Sequence, residues 1–96
     1  MNRNALDGLV ALKLIAERRS FGAAAQELGI STAAIRRIIK LLEHRLGVAL
    51  LSRNPRGATL TAAGEGFLAE VGPAIDQILA AMRALSGRAS KWSRAS

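Results

Sequence analysis

The sequence predicts a mainly α-helical fold in which three short helices and a β-hairpin are followed by one long helix. Apolar residues recur at helical spacing in four stretches, and residues that cap or end helices bound these stretches. Between the third and fourth stretches, two short apolar runs flank the turn-forming segment 54–57, which is typical of a β-hairpin. With 96 residues and no Cys, the chain has room for one small core and offers neither a disulfide nor a cysteine metal site.

Two helices are predicted in the N-terminal third of the chain. The first covers residues 5–18, and the second runs from Phe21 to about Leu28, with Ser20 as its N-cap and Gly29 at its end. The centre of the second helix is a run of alanines, whose small side chains let another helix approach closely. The apolar stripe of the first helix consists of Leu9, Leu12, Ile15 and Ala16.

The third helix is predicted from Thr32 to Leu46, between the N-cap Ser31 and the terminating Gly47. Its apolar stripe consists of Ile35, Ile39, Leu42 and Leu46. Its opposite face carries Ala33, Arg36, Arg37, Lys40 and His44. One side of this helix therefore suits a protein core, and the other side suits an anion.

The second and third helices have the spacing of a helix-turn-helix. Ala25 provides a small residue at the helix crossing, Gly29 provides the turn, and Ile35 packs the later helix onto the earlier one. An ordinary helical hairpin in a bundle is the alternative, but such a hairpin would mix both signs of charge on its exposed face. The strands expected over 48–53 and 58–60 would form a wing. The prediction is thus a winged helix-turn-helix with a three-helix core.

Basic charge is concentrated in the predicted third helix and wing. The net charge is +7, and segment 36–56 contributes six basic residues against one acid. The start of a helix fits the major groove of B-DNA, where arginine pairs well with guanine, and arginines in a wing reach phosphates or the minor groove. We therefore predict double-stranded DNA as the partner. The predicted DNA-binding residues are Ser31, Thr32, Ala33, Arg36, Arg37, Lys40, Arg53 and Arg56.

A fourth, longer helix is predicted from Ala62 to about Leu85, with Thr61 as its N-cap. Its apolar residues are spaced alternately three and four apart, as in a helix that packs along another helix. Such a stripe either folds back onto its own domain or pairs with a second copy. The first half, with Phe67, Leu68 and Val71, is expected to fold back, and the half that begins at Ile75 is expected to pair with a second copy, because two-fold dimers match palindromic DNA sites. Pro73 predicts a kink. The predicted dimer interface consists of Leu68, Val71, Ile75, Ile78, Leu79, Met82 and Leu85.

The predicted organisation is a DNA-binding domain over 1–60, a linker and dimerisation helix over 61–86, and a flexible tail over 87–96. An enzyme, a cofactor site and a metal site are not expected, because the chain has one His, no Cys and only scattered acids. His44 is predicted to be a surface residue. The apolar runs are far shorter than the roughly 18 residues that a membrane span needs.

Segment 20–28, SFGAAAQEL, resembles the SF-x-x-AA-x-x-L signature of LysR-type transcriptional regulators. The resemblance continues through Leu46-Gly47 and through the wing segments LLSRNPR and LTAAG, so it covers about residues 9–85. It implies a bacterial regulator, cytoplasmic and nucleoid-associated, whose last helix makes a homodimer that can form tetramers in a full-length context. The family's usual effector-binding domain is absent from this chain, so no small-molecule ligand is expected on it.

The predicted recognition helix departs from the family pattern. Thr32 replaces the usual Gln, Arg36 replaces a small hydroxyl residue, and Ile38 replaces another Gln, whereas Arg37 matches the family's basic position. Arg19 stands where a Gly is usual. These departures bear on the preferred operator rather than on the fold. We hypothesise that Arg36 adds a base or phosphate contact that most relatives lack.

Two other functions stay open at this point. A nucleoid-type protein would bind any duplex through phosphate contacts alone. A protein-interaction module would use the same helices and wing for a protein partner. RNA binding is less favoured, because the chain offers no aromatic platform for stacking bases.

Overall fold

The computed structural model describes residues 3–55 and 57–87. In chain order, the elements are α1 (Arg3–Arg18), α2 (Phe21–Leu28), α3 (Thr32–Leu46), β1 (Leu51–Asn54), β2 (Gly57–Leu60) and α4 (Ala62–Gly87). The predicted winged helix-turn-helix followed by a long helix is confirmed. Gly87 belongs to α4 rather than to the predicted tail, and residues 88–96 lie outside the described residues, as does Arg56.

The helix boundaries follow from local capping, as predicted. The Ser20 hydroxyl accepts a hydrogen bond from the Ala23 amide at 3.1 Å, and the Ser31 hydroxyl accepts one from the Ala34 amide at 3.0 Å. Each bond satisfies an N–H group that lacks a partner within the helix. Gly29 ends α2 in the left-handed conformation, with a φ of 71° that glycine adopts without steric cost.

The core lies among α1, α2 and α3, and the helix-turn-helix spacing places its residues as expected. Ala25 and Ile35 are buried where α2 and α3 cross. Leu12 and Ile15 of α1 are also fully buried, but Leu46 is 43% exposed, so its assignment to the core stripe is wrong. Leu42 already faces Gly8 near the start of α1. One turn further along α3, Leu46 therefore lies at the edge of the helix bundle.

The wing is an antiparallel hairpin whose first strand is shorter than predicted. Leu51 pairs with Leu60, and the ladder ends where Asn54 pairs with Gly57. The predicted strand from Val48 is wrong, because residues 48–50 are not in a strand. The buried side chains of Leu50 and Ala58 anchor the hairpin to the helices.

Helix α4 is continuous over 26 residues, with Pro73 inside it, and a bend at Pro73 stays a prediction. Phe67 and Leu68 pack against the core, as expected for the first half of the stripe. Ile75 was predicted at the dimer interface, but it is 1% exposed and thus buried within the protomer. The helix therefore packs on its own domain for one turn more than predicted. No helix in the described part of the chain is long and apolar enough to cross a membrane.

Candidate nucleic-acid interface

The exposed face of α3 and the first wing strand together form an open basic depression. Its lining consists of Ala33, Arg36, Arg37, Lys40, Leu41, His44 and Arg53. The structure thus brings together five of the eight predicted DNA-binding residues, although Arg53 is separated from α3 in sequence. His44 is exposed on this surface, as predicted.

Ser31 and Thr32 lie at the N-terminal end of α3, next to the basic depression rather than in its lining. Ser31 is exposed, and its hydroxyl accepts the capping bond, which leaves the hydroxyl proton available for donation to another group. Thr32 is half-buried. The eighth predicted residue, Arg56, lies outside the described residues.

Phe21 positions two arginines of the basic depression. The centre of the Arg36 guanidinium lies 5.5 Å from the centroid of the Phe21 ring, and that of Arg53 lies 6.0 Å from it. The ring attracts both cations, and it lies where α2, α3 and β1 meet. Sequence reasoning assigned Phe21 only to the start of a helix. Its place in the SF signature was the one available signal for a further role.

Glu43 connects α3 to the beginning of the wing. Its Oε2 accepts hydrogen bonds from the amides of Leu50 (2.7 Å) and Leu51 (3.1 Å). Leu50 immediately precedes β1 and Leu51 is its first residue. The carboxylate therefore fixes where β1 begins relative to α3. In the sequence, Glu43 was the one acid in a basic segment and part of the stretch that resembles the family, but no contact with the wing was predicted for it.

The base of the wing is also attached to α4. The Thr61 hydroxyl donates to the Ala49 carbonyl at 2.7 Å and accepts from the Gly64 amide at 3.0 Å, and the Thr61 amide donates to the Leu50 carbonyl at 3.0 Å. Gly64 lies so close to the Leu50 carbonyl that a β-carbon there would overlap the oxygen. The wing therefore has its position fixed from both ends.

A third attachment of the wing comes from the end of α1. The Arg19 carbonyl accepts a hydrogen bond from the Ala58 amide at 3.3 Å. Arg19 adopts a left-handed conformation with φ of 57°. Glycine adopts this conformation more easily than other residues. This agrees with the family pattern, in which Gly is usual at the position of Arg19.

The basic depression keeps its positive charge. The ion pairs within residues 3–55 and 57–87 join Lys13 to Glu17 and Asp76, and Arg18 to Glu27. None of them involves the arginines or the lysine of the depression, and Oε2 of Glu43 accepts its hydrogen bonds from backbone amides. Across the same residues, no cluster of three or more side chains could hold a metal ion. This surface is therefore suited to a polyanion.

Comparison with known proteins gives a family match. Residues 6–65 match the family described as "Bacterial regulatory helix-turn-helix protein, lysR family". The chain is 40% identical over 86 residues to the HTH-type transcriptional regulator PgrR of Escherichia coli (strain K12), an alignment that covers 90% of this chain and 29% of PgrR. It is also 40% identical over 82 residues to the HTH-type transcriptional activator AmpR of Pseudomonas aeruginosa, covering 85% of this chain and 28% of AmpR.

The fold is also similar to that of a solved protein–DNA complex. Full-length CbnR, crystallised with its target DNA, matches with a TM-score of 0.67 and 39% sequence identity over 94% of this chain and 28% of CbnR. The chain thus spans about three tenths of the length of these relatives. The two bacterial relatives are named as transcriptional regulators, a class without enzymatic activity, and the resemblance inferred from the sequence is confirmed.

Proposed function

Since this chain belongs to the lysR family of bacterial regulatory helix-turn-helix proteins, we propose that it binds specific sequences of double-stranded DNA to regulate transcription. The observation that supports this most directly is the basic depression on α3 and β1, whose cations form no ion pairs within the described residues. DNA phosphates supply the missing negative charge. The proposed setting is the bacterial cytoplasm.

In the proposed complex, α3 enters the major groove. The first two turns of α3 carry Ala33 and Arg37, which contact base edges together with Thr32 at the helix start. Arg53 approaches the sugar–phosphate backbone from the wing, and Arg56 is assigned to the same role from the sequence alone. The burial of Ile35 and Ile39 supports this orientation, because it directs the basic side of α3 outward.

A binding experiment against salt tests this proposal. A duplex enriched from a random pool is compared with a random-sequence duplex over a series of salt concentrations. Preference for the enriched duplex by about 10³-fold or more supports sequence-specific binding. Equal binding of both duplexes, with a steep salt dependence, would instead favour a nucleoid-type protein. Absence of binding at low salt would refute DNA binding and leave the protein-interaction module as the remaining candidate.

We also propose that α4 forms a homodimer. Beyond Ile75, the apolar side chains of Ile78, Met82 and Leu85 are 40%, 57% and 54% exposed. They recur three and four residues apart, so they lie along one stripe of the helix, as expected for a helix that packs against a second copy. Leu79 lies beside this stripe and is half-buried, and Leu68 and Val71 continue it towards the core.

The dimer is tested by placing a charge on either side of α4. Met82→Glu introduces a carboxylate into the exposed stripe, whereas Ala80→Glu introduces the same charge at an exposed position about half a turn away. Sedimentation velocity is expected to show dimers for the wild type and for Ala80→Glu and monomers for Met82→Glu. A monomeric wild type at high protein concentration, or a Met82→Glu variant that still dimerises like the control, would contradict the proposed interface.

A further inference from the structure

Arg36, Arg53 and Phe21 form a compact group at the junction of α2, α3 and the wing. The two guanidinium centres lie 5.5 Å and 6.0 Å from the same ring centroid. These three side chains also line a second depression together with Lys40, Glu43, Ile39 and Leu51. The basic side chains in this lining are Arg36 and Lys40 of α3 and Arg53 of β1.

This group has a deficit of negative charge. Neither Arg36 nor Arg53 takes part in an ion pair within residues 3–55 and 57–87. Glu43 is the one carboxylate that lines the same depression, but its Oε2 already accepts two backbone hydrogen bonds. Both guanidinium groups line the same depression, and an anion bound there would be attracted by both. The arrangement is therefore suited to an added anion with several acceptor oxygens.

We infer that Arg36 and Arg53, held on Phe21, form a clamp for one backbone phosphate of duplex DNA. Two guanidinium groups can donate several hydrogen bonds to the oxygens of one phosphate. This inference rests on the proposed DNA binding and answers the question that the sequence left open, whether Arg36 contacts a base or a phosphate. The side chain extends towards Phe21 and the wing, where Arg53 can share its ligand.

The clamp gives the neighbouring residues Arg36 and Arg37 different roles in DNA binding. Arg37 follows Arg36 in α3 but lies over no aromatic ring of residues 3–55 and 57–87, and it lines the basic depression with Leu41 and His44. Arg37 is therefore the arginine of α3 that is left to read base edges. Because Phe21 holds the clamp arginines before DNA arrives, less side-chain freedom is lost on binding.

The experiment compares three substitutions in α3, each of which removes one arginine. Arg36→Ala removes a clamp residue, Arg37→Ala removes the base-reading residue, and Arg45→Ala is a charge-matched control at an exposed site outside the basic depression. For each variant, affinity is measured against salt on the enriched and random duplexes, and the preferred sequence is determined again from a random pool.

The clamp predicts a specific pattern for Arg36→Ala relative to Arg45→Ala. Affinity falls by about tenfold on enriched and random duplexes alike, as expected when a charged hydrogen bond is lost. The slope of log affinity against log salt falls by less than one for each protomer bound, because Arg53 still contacts the same phosphate, and the preferred sequence is unchanged. Arg37→Ala, by contrast, alters the preferred sequence.

Two further variants test whether the clamp acts as a unit. Combining Arg36→Ala with Arg53→Ala should weaken binding by less than the product of the two single losses, because both residues hold one phosphate. Phe21→Leu keeps an apolar side chain but removes the ring face, and it should lower affinity about 2- to 5-fold for each arginine released. Thermal unfolding of each variant confirms that it is folded.

Opposite results would overturn the clamp. If Arg36→Ala changed the preferred sequence, Arg36 would be a base-reading residue, and if it left the salt slope unchanged, Arg36 would hold no phosphate. Multiplicative losses in the double variant would also refute a shared phosphate. These outcomes are separate from failure of sequence-specific binding, because the clamp is tested on random duplexes too. If the wild type prefers no sequence, the salt slopes on random duplexes still decide whether the clamp exists.

Discussion

Replacing Glu43 with Gln should loosen the wing from the recognition helix. In the wild type, one carboxylate oxygen accepts from the amides of Leu50 and Leu51 at 2.7 Å and 3.1 Å. Gln keeps the length of the side chain and one acceptor oxygen but removes the negative charge. The variant can therefore form the same two bonds only as neutral hydrogen bonds, which are roughly half as strong as charge-assisted ones.

The size of this effect follows from the two bonds. A hydrogen bond to a charged group contributes about 1.5–3 kcal/mol, and a neutral bond contributes about 1 kcal/mol. Glu43→Gln should therefore lower the free energy of unfolding by about 1–4 kcal/mol for the pair. Glu43→Ala leaves both partly buried amides without this acceptor and should cost about 2–6 kcal/mol, or about 1–3 kcal/mol for each amide. These are large fractions of the stability of a small domain.

Urea unfolding measures the stability, and titration of duplex DNA measures the effect on binding. Glu70→Gln is the control, because Glu70 is exposed on α4 and its replacement changes the net charge by the same amount. Removing the Glu43 charge beside Arg36 and Arg53 favours DNA more than removing that of Glu70, so the two variants are compared at high salt, which screens this difference. There, Glu43→Gln should bind DNA more weakly than Glu70→Gln because Arg53 is less well placed. If Glu43→Gln were as stable as Glu70→Gln to within about 0.5 kcal/mol, the reasoning would be refuted.

Three further predictions concern the attachments between elements. Arg19→Gly should raise the free energy of unfolding by about 0.5–1 kcal/mol, because glycine adopts the φ of 57° without strain; a less stable variant in urea unfolding would contradict this. Gly64→Ala should lower it by about 1–3 kcal/mol, because the new β-carbon overlaps the Leu50 carbonyl, and a thermal shift checks this. Hydrogen bonds to Asp76, the larger cause, and to Glu17 raise the pKa of Lys13 above its usual 10.5. The charged form of Lys13 therefore adds to the free energy of unfolding below pH 10.5, and this contribution is lost as the pH rises through the raised pKa. The stability advantage of wild type over Asp76→Asn, at most about 1 kcal/mol, should therefore be present at neutral pH and vanish at strongly alkaline pH.

The features that the sequence predicted well are those set by neighbouring residues. Ser20 and Ser31 cap their helices through bonds to amides three residues away, and Gly29 ends α2 by its own backbone conformation. Each signal lies within a few residues of the element that it controls. The alternation of apolar and basic faces on α3 is local in the same sense, so the basic depression could be expected before the structure was known.

The features that the sequence did not reveal depend on tertiary contacts. Glu43 bonds to backbone amides seven and eight residues away, and an amide carries no residue-specific signal. The partners of Phe21 come from two other elements. Ile75 has the same periodicity as Ile78, but periodicity does not say how far the core of the domain extends along α4, so the two residues differ in burial without differing in pattern.

Helix α4 is buried within the protomer at Ile75 and has exposed apolar side chains beyond it, so folding of the protomer and dimerisation can be perturbed separately. Since Met82 is exposed in the protomer, Met82→Glu should leave the unfolding of the protomer and its affinity for a single half-site nearly unchanged. On a duplex with two half-sites, however, the wild-type dimer should gain about 10²–10⁴-fold in affinity because its two protomers are linked. Met82→Glu should lose this gain. Ala80→Glu should retain it. If Met82→Glu lost affinity equally on duplexes with one and with two half-sites, α4 beyond Ile75 would affect DNA binding through the fold of the protomer and not through a second copy.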